Sequence, residues 1–105
     1  MAQRVDAIRA MLQKSPDDVF LHYSLGMELA GAGDHDQAVQ EFRRCIELDA
    51  TYLPAYVEAG KALRSAGRRD QAREMFRQAM ELAQAQGQSH VATYVRQQLE
   101  GLGLL

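Results

Sequence analysis

Three histidines and one cysteine are the side chains of this sequence best suited to metal binding or nucleophilic catalysis. His22, His35 and His90 lie far apart, so no two of them have the i, i+4 spacing that brings two metal ligands to one face of a helix. Cys45 is the single cysteine, and no flanking histidine could activate its thiol. We therefore predict no metal site, no cofactor and no catalytic residue, and a structural or solvent-exposed role for these four side chains.

A phosphate-binding loop is the other chemistry that a short motif could supply. Gly31, Ala32 and Gly33 are not followed by the Lys-Ser/Thr pair that such a loop requires. A turn between two helices accounts for these residues instead. The sequence therefore contains no residue constellation that is typical of an enzyme.

The composition is that of a helical globular domain. The chain has 105 residues, of which 47% are hydrophobic and 25% charged, with two Pro and no Trp. A chain of this length forms one domain. No apolar run approaches the ~18 residues of a membrane-spanning helix, and the first residues lack the apolar core of a signal peptide. We expect a cytoplasmic protein with no membrane partner.

The net charge of −2 is distributed unevenly along the chain. Residues 17–50 carry a net charge of −6, whereas residues 1–16 and residues 51–86 each carry +2. Nucleic-acid-binding domains usually present a strongly basic face, so we predict no nucleic-acid partner. The difference in charge between the segments is a hint to how charge is arranged on a partner or in self-association.

The elements that must position these side chains are two copies of one 34-residue repeat, which spans residues 19–86. Eleven of the 34 aligned positions are identical, and most of the others keep their apolar or polar character. A fixed period of this length is typical of a stacked array of helix pairs. The identical positions pair Gly26 with Gly60, Leu29 with Leu63, Ala32-Gly33 with Ala66-Gly67, Asp36-Gln37-Ala38 with Asp70-Gln71-Ala72, Phe42-Arg43 with Phe76-Arg77, and Glu47-Leu48 with Glu81-Leu82.

These residues resemble the tetratricopeptide repeat (TPR), whose pattern is a bulky aromatic, Leu-Gly, a Tyr-like residue, Ala, an aromatic and Pro. The departures are mild: His22 stands at the aromatic position, Ala59 at a Leu position, and Ala50 and Gln84 at the closing Pro. The resemblance implies an all-α, right-handed α-solenoid of antiparallel helix pairs, with about six helices. It also implies an interaction scaffold rather than an enzyme.

We expect a single TPR-like domain over residues 1–105. Residues 1–16 form an N-terminal capping helix, 17–50 repeat one, 51–86 repeat two, and 87–105 a C-terminal capping helix with a tail. The tail, residues 101–105, is expected to be frayed or to mark where a longer chain was cut. Ser89 is expected to cap that last helix. Within it, Val91 and Ala92 are expected to take the place of Leu-Gly, with Val95 at the next core position.

The resemblance places a partner-binding groove on the first helix of each helix pair. Repeat one contributes an apolar stripe at i, i+3 and i+7 and repeat two a mixed surface, so the predicted lining is Phe20, Tyr23, Met27, Val57, Lys61 and Arg64. The last helix could add Tyr94 or Gln97. Alternatively, a terminal helix or a second copy of the chain covers the apolar stripe. The Lys and Asn of the TPR clamp for chaperone tails are absent at Tyr23 and Met27, and Glu58 would repel a carboxylate, which argues against that ligand.

A basic cluster follows the groove of repeat two, formed by Lys61, Arg64, Arg68 and Arg69. Arginine pairs with carboxylates in a bidentate way, so the cluster could dock an acidic segment. The alternative is a solvated patch that Glu58 and Asp70 partly neutralise.

The leading functional hypothesis is a non-enzymatic protein-protein interaction module. Its groove would hold a peptide or helix with apolar anchors and an acidic flank. The alternative is a structural self-assembly unit, in which the acidic first repeat of one copy meets the basic second repeat of another. We expect a monomer or a weak homodimer.

Gly26 and Gly60 are expected to lie where the two helices of a pair approach closely. Helix propensity alone favours Gly60→Ala, because Gly in a helix interior costs about 0.5–1 kcal/mol. We therefore predict that Gly60→Ala is neutral or mildly stabilising. Gly60→Leu should be destabilising by about 1–3 kcal/mol because it overpacks the crossing.

Overall fold

A computed structural model describes residues 2–103, and six α-helices account for most of them. The helices are α1 (Ala2–Lys14), α2 (Val19–Gly31), α3 (His35–Leu48), α4 (Leu53–Ser65), α5 (Arg69–Ala85) and α6 (Ser89–Gly101). Each helix packs against the next one along the chain, and three or four residues join them. The predicted all-α helical solenoid is therefore confirmed. No helix of the described part of the chain has the length and apolar character needed to cross a membrane.

The starts of α2 and α4 follow local sequence signals. Asp18 caps α2, because its Oδ1 accepts a hydrogen bond from the backbone N–H of Leu21 at 3.0 Å. Pro54 lies in the first turn of α4, where its missing N–H leaves no helical bond unmade. The prediction for α6 was wrong: Gln88 occupies the capping position without a side-chain cap, and Ser89 is already the first helical residue.

A tight turn joins the two helices of each repeat. Gly33 and Gly67 adopt φ values of 84° and 79°, a region that favours glycine. In both turns the residue after the glycine donates its N–H to a carbonyl near the end of the first helix, with Asp34 N to Leu29 O and Arg68 N to Leu63 O each at 2.9 Å. The two helices of a pair are thereby folded back on each other.

The helices of a pair cross at a glycine that faces a phenylalanine. A Cβ placed on Gly26 would lie 2.6 Å from a ring carbon of Phe42, and one on Gly60 would lie 2.6 Å from the same atom of Phe76. Both rings are 0% exposed, so neither can move aside into solvent. The close approach inferred from the sequence is present, but it leaves no room even for a methyl group. This overturns the expectation that Gly60→Ala is neutral or stabilising.

The last helix packs on α5 as α4 packs on α3, but its register differs from the predicted one. Val95 and Leu99 are fully buried, whereas Val91 is only half-buried. Val95 therefore takes the Leu25 position and Arg96 the glycine position. The spacing from Ala59 to Val95 is 36 residues rather than 34, because α5 is longer than α3.

The predicted frayed tail is only partly described by the structure. Gly101 is the last residue of α6, and Leu102 is buried against the core. Arg69 also donates a hydrogen bond from Nη2 to the Leu102 carbonyl at 3.3 Å. Leu102 is therefore packed rather than frayed, and Leu104 and Leu105 lie outside the described residues.

Candidate functional site

The first helices of successive pairs form one continuous face of the solenoid. Helices α2 and α4 contact each other directly, whereas α3 and α5 do not approach to the same extent in residues 2–103. We call the face that the first helices share the inner face, because it is the face on which the groove was predicted. A segment bound there would contact α2 and α4 together.

The predicted apolar stripe lies at one end of this face, beside α1. Phe20, Tyr23 and Met27 line a recess of about 200 Å³ together with Arg4, Ile8, Ser24 and Glu28. Phe20 is 65% exposed and Met27 is 38% exposed. An ion pair of 3.2 Å between Arg4 Nε and Glu28 Oε1 borders the recess. Helix α1 therefore flanks the stripe without covering it.

Tyr23 belongs to the core as much as to the surface. Its ring centroid lies 5.8 Å from that of Phe42 and 5.5 Å from that of Tyr52, in tilted and edge-on arrangements. Burial, followed by the nearby negative charge of Glu58, raises the pKa of Tyr23 to about 12. The prediction that Tyr23 simply lines the groove is incomplete, since its ring also joins α2 to α3 and to the start of α4.

A second concavity of the inner face lies between α4 and α6. It encloses about 610 Å³ and is mostly apolar. Its walls are Thr51, Tyr52, Leu53, Pro54, Val57, Glu58, Gln86, Gln88, His90, Val91 and Tyr94. We call it the α4–α6 cavity. Of the six predicted groove residues, only Val57 lines it.

Sequence reasoning missed most of this cavity because it depends on the register of α6. The prediction offered Tyr94 or Gln97 of this helix, and Tyr94 does line the cavity, whereas Val91 was expected at a core position and lines the cavity instead. The signal that could have revealed this is the glycine of the turn. Gly103 adopts φ 77° and follows Gly67 by 36 residues, as Val95 follows Ala59.

Three of the four side chains of the basic cluster contact other groups within the chain. Lys61 Nζ lies 3.4 Å from the carboxylate of Glu58, and Arg68 Nη2 lies 2.9 Å from Oδ1 of Asp36. Arg69 bonds to the Leu102 carbonyl, and Lys61 and Arg64 line neither of the two concavities. The expected neutralisation by Glu58 is present, but Asp70 pairs with Arg73 instead.

Two of the four side chains suited to metal binding or catalysis, His22 and Cys45, contact other groups within the chain. His22 Nδ1 lies 2.8 Å from Glu41 Oε1, and its Nε2 lies 2.7 Å from the Pro16 carbonyl. Cys45 is buried, its Sγ contacts the Val19 carbonyl at 3.5 Å, and burial raises the pKa of its thiol to about 12. His90 lies at the wall of the α4–α6 cavity. Within residues 2–103 no three His, Cys, Asp or Glu side chains converge as metal ligands would.

Known proteins resemble this chain in both sequence and fold. TPR repeat-containing protein PA0015 of Pseudomonas aeruginosa is 33% identical over 58 residues, an alignment that spans 55% of each protein, so the match covers about half of that relative's length. The solution structure of protein BPP2914 from Bordetella parapertussis superposes with a TM-score of 0.83 at 28% identity, covering 94% of this chain and 86% of that one.

A third similarity shows the fold alone. The structure of PcrH in complex with the chaperone binding region of PopD superposes with a TM-score of 0.87 at 22% identity, covering 97% of this chain and 80% of that one.

The sequence profile of the tetratricopeptide repeat matches residues 29–93, which include most of both repeats and the start of α6. The two repeats, their glycine–phenylalanine crossings and this match together establish that the chain belongs to the tetratricopeptide repeat family.

Proposed function

We propose that this protein is a non-enzymatic interaction module that binds an extended or helical segment of another protein along the face formed by α2, α4 and α6. TPR membership supports protein binding as the general class of function. The observation that carries the groove assignment is the combination of the mostly apolar α4–α6 cavity with exposed Phe20 and Met27 on the same face. Apolar surface of this kind marks an interaction site when it is contiguous.

The polarity of the face suggests how a partner would lie on it. The apolar groups precede Lys61 and Arg64, which lie in the second half of α4. A segment with apolar anchors and an acidic flank would place that flank beside Arg64, because Lys61 already contacts Glu58. The complex of PcrH with a segment of PopD offers a fold-level analogy only.

A crosslinking pull-down from the source cell tests the groove assignment. The variant should be Phe20→Ala with Met27→Ala rather than one that removes Tyr23, because Tyr23 supports the core. Met11→Ala is a matched control: Met11 is 50% exposed but lies on α1, outside both concavities. We expect the double variant to lose partners that the wild type and the control retain. If all three proteins recover the same partners in equal amounts, the groove assignment is wrong.

The alternative, self-assembly, makes a separate prediction. One charge from each repeat is already paired within the chain, since Asp36 of the acidic segment contacts Arg68 of the basic one. Light scattering at low and high salt distinguishes the two functions, because charge-driven association weakens as salt rises. A concentration-dependent mass at low salt that falls at high salt would support self-assembly.

A further inference from the structure

We propose that the α4–α6 cavity receives a basic side chain, Lys or Arg, of the partner, with its methylene stem against the apolar wall and its charged head at Glu58. This inference rests on the proposed function and adds the chemistry of one subsite to it. Glu58 is the only acidic residue among those that line the cavity. The other lining groups are apolar, aromatic or uncharged polar side chains and the imidazole of His90.

Glu58 is a carboxylate with unused capacity to accept hydrogen bonds. Its side chain is 19% exposed, and its ion-pair partner Lys61 lies at 3.4 Å from both oxygens, on the same helix one turn away. That distance is at the long end for a charge-assisted bond, which is normally about 2.7–2.9 Å. A cation entering the cavity could approach the carboxylate more closely than Lys61 does.

The walls suit the stem of a long basic side chain. Pro54, Val57 and Val91 provide aliphatic surface, on which the methylene groups of Lys or Arg can pack. Tyr52 and Tyr94 also line the cavity, and aromatic faces attract cations. A purely apolar side chain would fill the same walls but would desolvate Glu58 without compensation. An acidic side chain would be repelled by Glu58.

The groove would then bind a partner segment that carries a basic residue at one end and acidic residues at the other. Its basic residue would enter the cavity beside the first half of α4, and its acidic flank would lie toward Arg64 near the end of that helix. This fixes the direction of the segment along α4. It also explains how Glu58, which disfavours a carboxylate clamp, could contribute to binding.

Titration of the whole chain with defined peptides, followed by amide chemical shifts, tests the proposal. The probes are three acetylated and amidated peptides Gly-Leu-Xaa-Leu-Gly, in which Xaa is lysine, norleucine or glutamate. We expect the lysine peptide to shift the amides of Val57, Glu58, Val91 and Tyr94. It should bind about tenfold more tightly than the norleucine peptide, the size of one net charge-assisted bond, and the glutamate peptide should bind most weakly.

The variant Glu58→Gln separates charge from shape. It should bind the lysine and norleucine peptides equally, whereas the control Glu81→Gln, at an exposed site on α5, should keep the lysine preference. Far-UV circular dichroism, together with an affinity for the norleucine peptide at least as high as that of the wild type, would show that the variant is folded.

Two outcomes would overturn the proposal. Equal affinity of the wild type for the lysine and norleucine peptides would make the cavity a purely apolar anchor site. The absence of shifts at the four cavity amides with every peptide would exclude it as the subsite. In either case a loss of partner in the Phe20 and Met27 double variant would still support the proposed function, so the two failures are distinguishable.

Discussion

The fourth residue of the first helix differs between the two repeats, being His22 in repeat one and Tyr56 in repeat two. Both side chains contact the carbonyl oxygen of the residue six positions earlier. His22 Nε2 lies 2.7 Å from the Pro16 carbonyl, and the Tyr56 hydroxyl donates to the Ala50 carbonyl at 2.7 Å. In both repeats this side chain therefore links the first helix to the segment that precedes it, through an imidazole in repeat one and a hydroxyl group in repeat two.

The neighbour of this side chain on the second helix differs as well. Glu41 contacts His22 Nδ1 at 2.8 Å in repeat one, whereas the residue one period later is Met75, which is buried. An imidazolium could donate to Glu41 and to Pro16 at once, while a neutral ring has one N–H. The comparison teaches that the same two positions of the repeat hold a hydrogen-bonded polar pair in repeat one and two buried residues, Tyr56 and Met75, in repeat two.

The largest expected effect comes from breaking what the repeats share, the glycine–phenylalanine crossing. We expect Gly60→Leu to lower the free energy of unfolding by about 3 kcal/mol or more, and Gly60→Ala by about 1 kcal/mol, because overpacking a rigid core outweighs the gain in helix propensity. Gly26→Leu should act in the same direction at Phe42. Urea melts measure the change.

Exposed Gln40 on α3 is the matched control for these glycine variants. Gln40→Leu should change stability by less than about 0.5 kcal/mol. A Gly60→Ala protein as stable as the wild type would mean that Phe76 can relax, and the crossing would be less rigid than described.

A second experiment removes the difference between the repeats. His22→Tyr alone leaves the Glu41 carboxylate without its partner, and Glu41→Met alone leaves His22 Nδ1 without its own, so each should cost about 1–2 kcal/mol. The double variant reproduces the pair found in repeat two and should recover most of the loss. A double-mutant cycle from urea melts should give a coupling of about 1–2 kcal/mol. If the effects of the two single substitutions simply add, positions 22 and 41 contribute to stability independently of each other.

Cys45 and its counterpart Ala79 provide a third comparison, through pH. Burial raises the pKa of Cys45 from 9.0 to about 12, so the folded state holds the thiol proton more tightly than the unfolded state does. This contribution to stability is complete below pH 9 and is lost as the pH rises toward 12. Between about pH 8 and pH 10 the wild type should lose about 1.3 kcal/mol relative to Cys45→Ala.

Chemical denaturation of both proteins across this pH range measures how the free energy of unfolding changes with pH in each. Taking the difference between the two proteins removes the contribution of tyrosine ionisation, because both contain the same tyrosines. Parallel curves for the two proteins would contradict the burial of the thiol. An independent check is the rate of reaction with a thiol reagent, which should be slow in the native state and fast in denaturant.

The smallest expected effect concerns the contact between the repeats. The ion pair of Arg68 with Asp36 is exposed, so Arg68→Ala should lower the free energy of unfolding by only about 0–0.5 kcal/mol. The difference should shrink further as salt is added. A loss as large as that at Gly60 would mean that charge, rather than the buried crossing, holds the repeats together.

Periodicity in the sequence was sufficient to predict the fold. A period of 34 residues, with glycine and phenylalanine recurring in each copy, fixes which residues face the core, because helix geometry sets the face from the spacing. The turns followed from glycines at the ends of the first helices. The cytoplasmic location, the domain boundaries within the array and the partner stay predictions.

Only the tertiary structure decided where the concavities lie. The longer α5 shifts α6 by two residues relative to the repeat, and this brings Val91 and Tyr94 opposite Val57. The sequence pattern of α6 is too weak to reveal such a shift, since Arg96 stands where earlier repeats have glycine. Tyr23 was likewise placed by spacing on the inner face, but its depth depends on the rings of Phe42 and Tyr52, which come from other helices. Spacing determines direction around one helix, whereas depth and cavity shape depend on how neighbouring helices are offset along their axes.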